Sequence, residues 1–420
     1  MHKLLIGTGL TALVFTSATA AAEPLKFKPL VDMRLRYENV DQQGVARDAD
    51  AVTLRTHAGG EVSSGAFAFL AEAEATLAID ESYNSGVNGK TAFPMVADPQ
   101  NIELNRIQLQ YKGLPGTVLT MGRQRINLDD QRFVGSVGWR QNEQTFDAVR
   151  VEWTGFRNLK ADVTYSWSAR TIWGVDGSKF GATSRPQAIS GDNIFANLAW
   201  KSSLGTLTGF AYLIDEDEPV VALLRNSSQT YGARFAGSYP LSKTLKLGYL
   251  ASYARQSGWH HNPVGYDADY AAAELSIEAH GFKLTGGYEL LGADGAATGI
   301  AGNAFAFQTP YATLHRFNGW ADKFLTTPAN GLQDWYAGIG YTLPKLGRFG
   351  PLSATVVYHR FDSDRLNLRY GDEWNAQLSL KLNKRLTALA KYADYSRKGA
   401  ADFAGDADTS KLWASLEWVY

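Results

Sequence analysis

From about residue 25 to the C-terminus, nearly every segment alternates polar and apolar residues with a period of two. That is the pattern of a strand with two unlike faces. In Asp162-Val163-Thr164-Tyr165-Ser166-Trp167-Ser168 the odd positions are apolar; in Lys411-Leu412-Trp413-Ala414-Ser415-Leu416-Glu417-Trp418 the even ones are. No stretch beyond the N-terminal leader keeps a 3.6-residue period. Gly, Pro, Asn and Ser, which supply strand-reversing geometry, mark eight short joints at 63–65, 113–116, 155–158, 202–205, 240–243, 280–281, 344–351 and 383–385. Nine longer polar stretches alternate with them, at 41–50, 80–100, 127–144, 169–192, 215–228, 256–267, 292–331, 362–371 and 396–409.

Nine long loops and eight short turns imply about 18 antiparallel strands with both termini on the short-turn side. The fold class is therefore all-β: a transmembrane antiparallel barrel with short periplasmic turns and long extracellular loops. Roughly 22 residues per strand and connection leave room for the 9–11 that a tilted spanning strand needs. The barrel must close, because an open edge in lipid leaves backbone groups unpaired.

The leader completes the plan. Lys3, an apolar run from Leu4 to Thr16 and small residues up to Ala22 read as a cleaved signal peptide over 1–22. Residues 23–420 then form a single barrel in the outer membrane of a Gram-negative cell, surrounded by lipid and lipopolysaccharide. With 41 basic and 42 acidic side chains, the net charge of −1 argues against a nucleic-acid partner. The absence of cysteine excludes a disulfide scaffold, a zinc–thiolate centre and a thiol nucleophile.

The aromatics fit interfacial girdles, where amphipathic rings settle at headgroup level. Trp153, Tyr165, Trp167, Trp200, Tyr212, Tyr249, Tyr253, Tyr288, Trp335, Tyr341, Tyr358, Trp374, Trp418 and Tyr420 fall near strand ends in the apolar phase. The final strand, Lys411 to Tyr420, ends on an aromatic, like the C-terminal signal read by the outer-membrane assembly machinery.

The opposite phase lines the lumen, since a Lys or Arg facing lipid at the midplane costs ~2–4 kcal/mol. It contains Arg34, Arg36, Arg55, His57, Glu72, Glu74, Arg106, Arg123, Arg125, Arg150 and Glu152, with Lys160, Asp162, Arg234, Glu274, Glu289 and Lys391 further on. Arginines concentrate in the first third of the chain, where Arg132 and Arg140 join them. Two readings stand together: a ladder of ion pairs bracing the wall, and a field attracting carboxylates, as rings of Arg and Lys do in anion pores.

The stretch Gly122-Arg123-Gln124-Arg125-Ile126, Asp129-Asp130-Gln131-Arg132-Phe133-Val134-Gly135 and Gly138-Trp139-Arg140-Gln141-Asn142-Glu143-Gln144-Thr145-Phe146-Asp147 resembles the alginate-export family of outer-membrane barrels. So do Leu54-Arg55-Thr56-His57, Phe305-Ala306-Phe307-Gln308-Thr309-Pro310, Phe317-Asn318-Gly319-Trp320-Ala321-Asp322-Lys323-Phe324 and Thr409-Ser410-Lys411-Leu412-Trp413. The resemblance implies an 18-stranded barrel with an arginine-lined pore for an anionic polysaccharide. It makes Arg123, Arg125, Arg132, Arg140 and Arg150 the lead candidates for carboxylate contact. The 292–331 loop is a candidate inward gate bearing His315, Arg316 and Lys323, with a plain surface loop as the other reading.

No G-x-S-x-G or H-E-x-x-H occurs, so an enzyme is not expected, and neither is a cofactor or a metal site. Gly89-Lys90-Thr91 lacks the earlier glycine of a phosphate loop. Asp215-Glu216-Asp217-Glu218 and the group Asp402, Asp406 and Asp408 offer loose oxygen ligands for calcium but lack EF-hand spacing, so solvated loop tips are the better reading, as they are for His260-His261. The expected function is a passive channel for an anionic polysaccharide such as alginate, or its oligomers. The alternative is a general or anion-selective porin for uptake of small solutes.

Overall fold

The computed structural model of the chain describes residues 23–178, 185–399, 403 and 405–420. The leader expected at 1–22, and Asp402, lie outside the described residues. In chain order the strands are β1 (Lys26–Gln42), β2 (Ala49–Ser64), β3 (Phe67–Ser82), β4 (Asn101–Leu114), β5 (Thr117–Gln124), β6 (Thr145–Trp153), β7 (Leu159–Arg170), β8 (Ala188–Lys201), β9 (Thr206–Ile214) and β10 (Ser228–Pro240). They continue with β11 (Leu245–Gly258), β12 (Asp267–Ala279), β13 (Phe282–Leu291), β14 (Ala293–Asp294), β15 (Phe305–Ala306), β16 (Leu332–Leu343), β17 (Leu352–Asp362), β18 (Arg369–Lys381), β19 (Leu386–Arg397) and β20 (Thr409–Val419).

Eighteen of these form one antiparallel sheet, while β14 and β15 pair only with each other inside the longest loop. Each barrel strand pairs with its neighbours in the chain, and β1 also pairs with β20, with Leu35 opposite Leu416. That pairing closes the barrel and removes the edge that lipid would not tolerate. The expected eight tight turns and nine loops are all present. No helix among the described residues is long and apolar enough to cross a membrane.

Alternation sets the two faces. In β1, Arg34, Arg36 and Glu38 are buried inside while Met33 and Leu35 face outward. A bulge where β3 meets β4 makes Asn105 an extra residue, so Asn105 and Arg106 both reach Glu72 within the lumen. The outer surface carries Leu198, Leu275, Ile277 and Leu284, together with Trp200, Tyr253, Trp335 and Trp374. Tyr212 departs from the girdle expected of it. It points inward with Phe210, hydrogen-bonds Asn197 and packs on Phe133. β9 is apolar on its inner face because a loop, rather than water, covers it.

Two loops enter the barrel. Segment 125–144 runs down one side of the lumen, and segment 292–331 lies against it. Backbone hydrogen bonds join them, from Gly135 N to Tyr311 O (2.9 Å) and from Thr313 N to Gln131 O (3.0 Å). Their apolar residues form a core with the wall, in which Phe133, Phe146, Phe195, Phe210, Tyr270, Phe307 and Tyr311 interlock. Of the two expectations for 292–331, the inward one holds.

Leu275 lies near the middle of β12 on the outer face. Leu275→Arg is expected to lower unfolding stability in lipid vesicles by about 2–4 kcal/mol, and Leu275→Phe to leave it nearly unchanged. Urea titration of refolded barrels measures both; equal effects would place Leu275 away from lipid.

Candidate functional site

The arginines expected to line the pore are, with one exception, inside it, and nearly all of them meet carboxylates. Arg106 makes a two-pronged contact with Glu72 at 2.8 and 2.6 Å, and Arg150 does the same with Asp162. Arg55 bonds Asp32 and Glu417, while Arg125 reaches Glu72 and Glu143. His57 lies between Asp32 and Glu74, and Glu74 also accepts the Glu143 backbone N–H. Such a mesh is what a low-dielectric interior demands, since a buried arginine without compensation is costly.

Arg123 is a correction. It was expected to share the inner face with Arg125. In β5, however, Thr120 and Gln124 point inward, and Arg123 lies on the outer face with Met121, beside Ile107. Its guanidinium grips Asp147 at 2.8 and 3.0 Å on that same side. The strand ends at Gln124, so Arg125 belongs to the inward loop and no longer obeys the period of two.

The 125–144 loop is moored by its own arginines and amides. Arg34 donates to Gln141 Oε1 (2.9 Å) and to the carbonyls of Gly138 and Arg140, and Gln141 reaches back to Thr53. Arg132 crosses to the far wall, bonding Glu289 (2.7 Å), Thr309 (3.0 Å) and Asn318 (3.1 Å). Glu289 holds the Arg132 guanidinium above its ordinary pKa despite burial. The 292–331 loop docks through a turn at Gly319, whose φ of 82° admits glycine readily. A Cβ there would strike Glu373, whose carboxylate accepts the Trp320 and Ala321 backbone N–H groups.

Where the loops meet, a septum forms around Asp322. Its carboxylate pairs with His315 Nδ1 (2.7 Å), Arg140 Nη2 (2.7 Å) and Lys411 Nζ (3.0 Å). Burial pushes the other way, but these three groups hold the Asp322 carboxyl well below its ordinary pKa. Burial also pushes His315 well below its own, so a neutral ring donates from Nδ1 to Asp322 and accepts from Lys391 Nζ at Nε2 (2.7 Å). His315 stacks on Trp139 at 4.4 Å, and the Lys391 ammonium sits 3.7 Å from the Trp320 ring centroid and 4.2 Å from that of Trp139.

The septum separates two spaces. On the outer-loop side a vestibule of about 660 Å³ is lined by Arg140, His315, Asp322, Gln308, Glu216 and Arg225, among others. On the short-turn side a chamber of about 370 Å³ is lined by Arg34, Arg36, Trp139, Gln377 and Glu417. Each space has one arginine with spare donors. The Arg36 guanidinium, 1% exposed, has no hydrogen-bond partner among the described residues at any of its three nitrogens. It lies 3.7 Å from Asp98 and 4.1 Å from the Trp139 ring centroid. Arg225 Nε is likewise buried without a partner.

Of the expected gate residues, only His315 joins the septum. Lys323 turns aside to Thr409 (3.0 Å), where burial pushes its ammonium down to about 8. Arg316 is exposed over Phe317. Sequence reasoning did not single out Asp322, Trp139, Trp320, Lys411 or Arg225. The first four stand inside the family-like segments, a signal that could have found them; Arg225 carries none.

A closed antiparallel 18-stranded barrel with an apolar belt and a loop-constricted polar lumen defines a channel of the outer membrane. Residues 27–174 match the model of the alginate export family, a span that holds the 54–57 and 122–147 segments and not the later ones. No curated protein matches the chain in sequence. Among solved structures, Acinetobacter baumannii OccAB2 is similar with a TM-score of 0.69 at 13% identity, over 93% of this chain and 98% of that one. Pseudomonas aeruginosa OpdQ gives 0.65 at 13%, and OpdK of the same organism, solved with vanillate, 0.67 at 11%; each covers 94% of this chain and 98% of the other. At such identities the likeness speaks for the fold.

Asp322→Asn removes the charge on which Arg140 and Lys411 converge. The expected result is a larger single-channel conductance together with a stability loss of about 3–5 kcal/mol. Bilayer recording and chemical unfolding check the pair; an unchanged conductance would mean that Asp322 braces the loops without closing the path.

Proposed function

We propose that this outer-membrane channel passes carboxylate-bearing saccharides, alginate-type chains or their oligomers, by diffusion. The observation that carries the reading is the pair of arginines with spare donors, Arg225 in the vestibule and Arg36 in the chamber, placed on opposite sides of the septum. A guanidinium offers a carboxylate two parallel hydrogen bonds. Two such stations let an anion be handed from one to the other, provided each holds it weakly enough to release it. The match to the alginate export family supports a uronate as the anion. The other inward arginines of the expected wall have hydrogen-bonded carboxylate, amide or carbonyl partners, so those side chains brace the lumen and shape the field.

A second reading, uptake of small anions, is favoured by the septum itself. Side chains of both inward loops fill the lumen between two spaces of 660 and 370 Å³, each sized for a short solute. OpdK, similar in fold, was solved with vanillate, a small carboxylate. The two readings share the arginine stations and differ in the length of what passes.

In planar bilayers the channel is expected to prefer chloride over potassium, and oligouronates are expected to block the current. Arg36→Ser and Arg225→Ser should each shift the reversal potential toward cations and weaken block severalfold. Arg123→Ser, on the outer face, should change neither. Cation selectivity of the unaltered channel would overturn the proposal; anion current insensitive to oligouronates would favour the small-anion reading.

A further inference from the structure

The loop tips at 215–218 and 260–261 come together. Asp215 follows β9 and His260-His261 follow β11, so the two segments belong to adjacent outer loops. The Asp215 carboxylate accepts from both neighbouring imidazoles, from His260 Nδ1 to Oδ2 at 2.8 Å and from His261 Nδ1 to Oδ1 at 2.9 Å. Asp217 Oδ1 lies 3.4 Å from His261 Nδ1. Side chains of consecutive residues ordinarily diverge; here a left-handed backbone at His260 (φ 41°) turns both rings to one carboxylate. The His260 ring is steadied by stacking on Trp259 at 4.4 Å.

We propose that Asp215, Asp217, His260 and His261 form a binding site on the outer loops for a borderline divalent transition-metal ion such as Zn²⁺. The case does not rest on the acidic run, because half of that run turns away. Glu216 is buried toward Asn226, and Glu218 accepts from Ser190. It rests on the mixture of two imidazole nitrogens with two carboxylates, the donor set that suits Zn²⁺ and its neighbours and not Ca²⁺ or Mg²⁺.

The spacing also fits. Donors about 2.0–2.2 Å from a tetrahedral ion lie roughly 3.3–3.6 Å apart. The donor atoms of Asp215, Asp217 and His261 already fall within 4.8 Å of one another; His260 stands outside that group, on the other Asp215 oxygen, and its ring must swing in to complete the set. An entering ion replaces the ring protons now shared with Asp215. Because Asp215 is buried while both rings are more than half exposed, the site is anchored at its base and open to solvent. Bound metal would tie the two loops together, and one of them carries Arg225 to the vestibule.

Isothermal titration of the untagged, detergent-solubilised barrel with ZnCl₂ tests the site. One saturable site is expected, with no comparable heat from CaCl₂. His260→Ala/His261→Ala should weaken Zn²⁺ binding at least tenfold, and Glu218→Gln by less than twofold. Co²⁺ added to the unaltered barrel should give the intense visible bands of a four- or five-coordinate ion, a readout that needs no variant. Absence of saturable Zn²⁺ binding, binding unaffected by the double substitution, or a weak octahedral Co²⁺ spectrum would each overturn the proposal.

Discussion

Everything in this molecule depends on giving each backbone N–H and C=O a partner where no water is available. Lipid leaves only two solutions, and a chain whose side chains alternate with period two can use only the barrel. The pairing of β1 with β20 is therefore a condition of the fold rather than one contact among many. Once the sheet closes, each strand has an outside that must be apolar and an inside that need not be.

The inside then poses its own problem. An 18-stranded barrel encloses more space than its wall side chains can fill, and here two loops occupy it. They bring their own charges and meet those of the wall: Arg34 holds the Gly138 and Arg140 carbonyls, Arg132 reaches Glu289, and Asp322 draws in Arg140 and Lys411. The same ion pairs that fasten the loops neutralise the wall. What remains for a passing anion is the small residue of this cancellation: Arg36, with no hydrogen bond at any guanidinium nitrogen, and single unpartnered Nε groups such as that of Arg225 at the vestibule.

Much of the architecture was legible in one dimension. Strand number, the short and long sides and the lumen-facing phase of Arg34, Arg36, Glu72, Glu74 and Arg106 follow from alternation and turn chemistry, which are local. Failures came where locality ends. Arg123 keeps the outward phase of Leu119 and Met121, and the expectation that tied it to Arg125 fails because Arg125 has left the strand for the inward loop. Tyr212 was given to the membrane because an apolar inner face is unforeseen until a loop is known to cover it. Asp322 looks like any loop aspartate until Arg140 and Lys411, from two distant parts of the chain, join its loop neighbour His315 around it.

The sequence by itself determined the barrel: a period of two, nine long and eight short connections, and no competing helical span leave no other way to satisfy the backbone in lipid. Only the tertiary structure decided how charges within that barrel are shared. An arginine's freedom to bind a solute depends on which carboxylates lie within about 4 Å, and those come from paired strands, as Asp162 does for Arg150, or from more than a hundred residues away, as Glu289 does for Arg132. Periodicity places a side chain on a face; only folding supplies its partner.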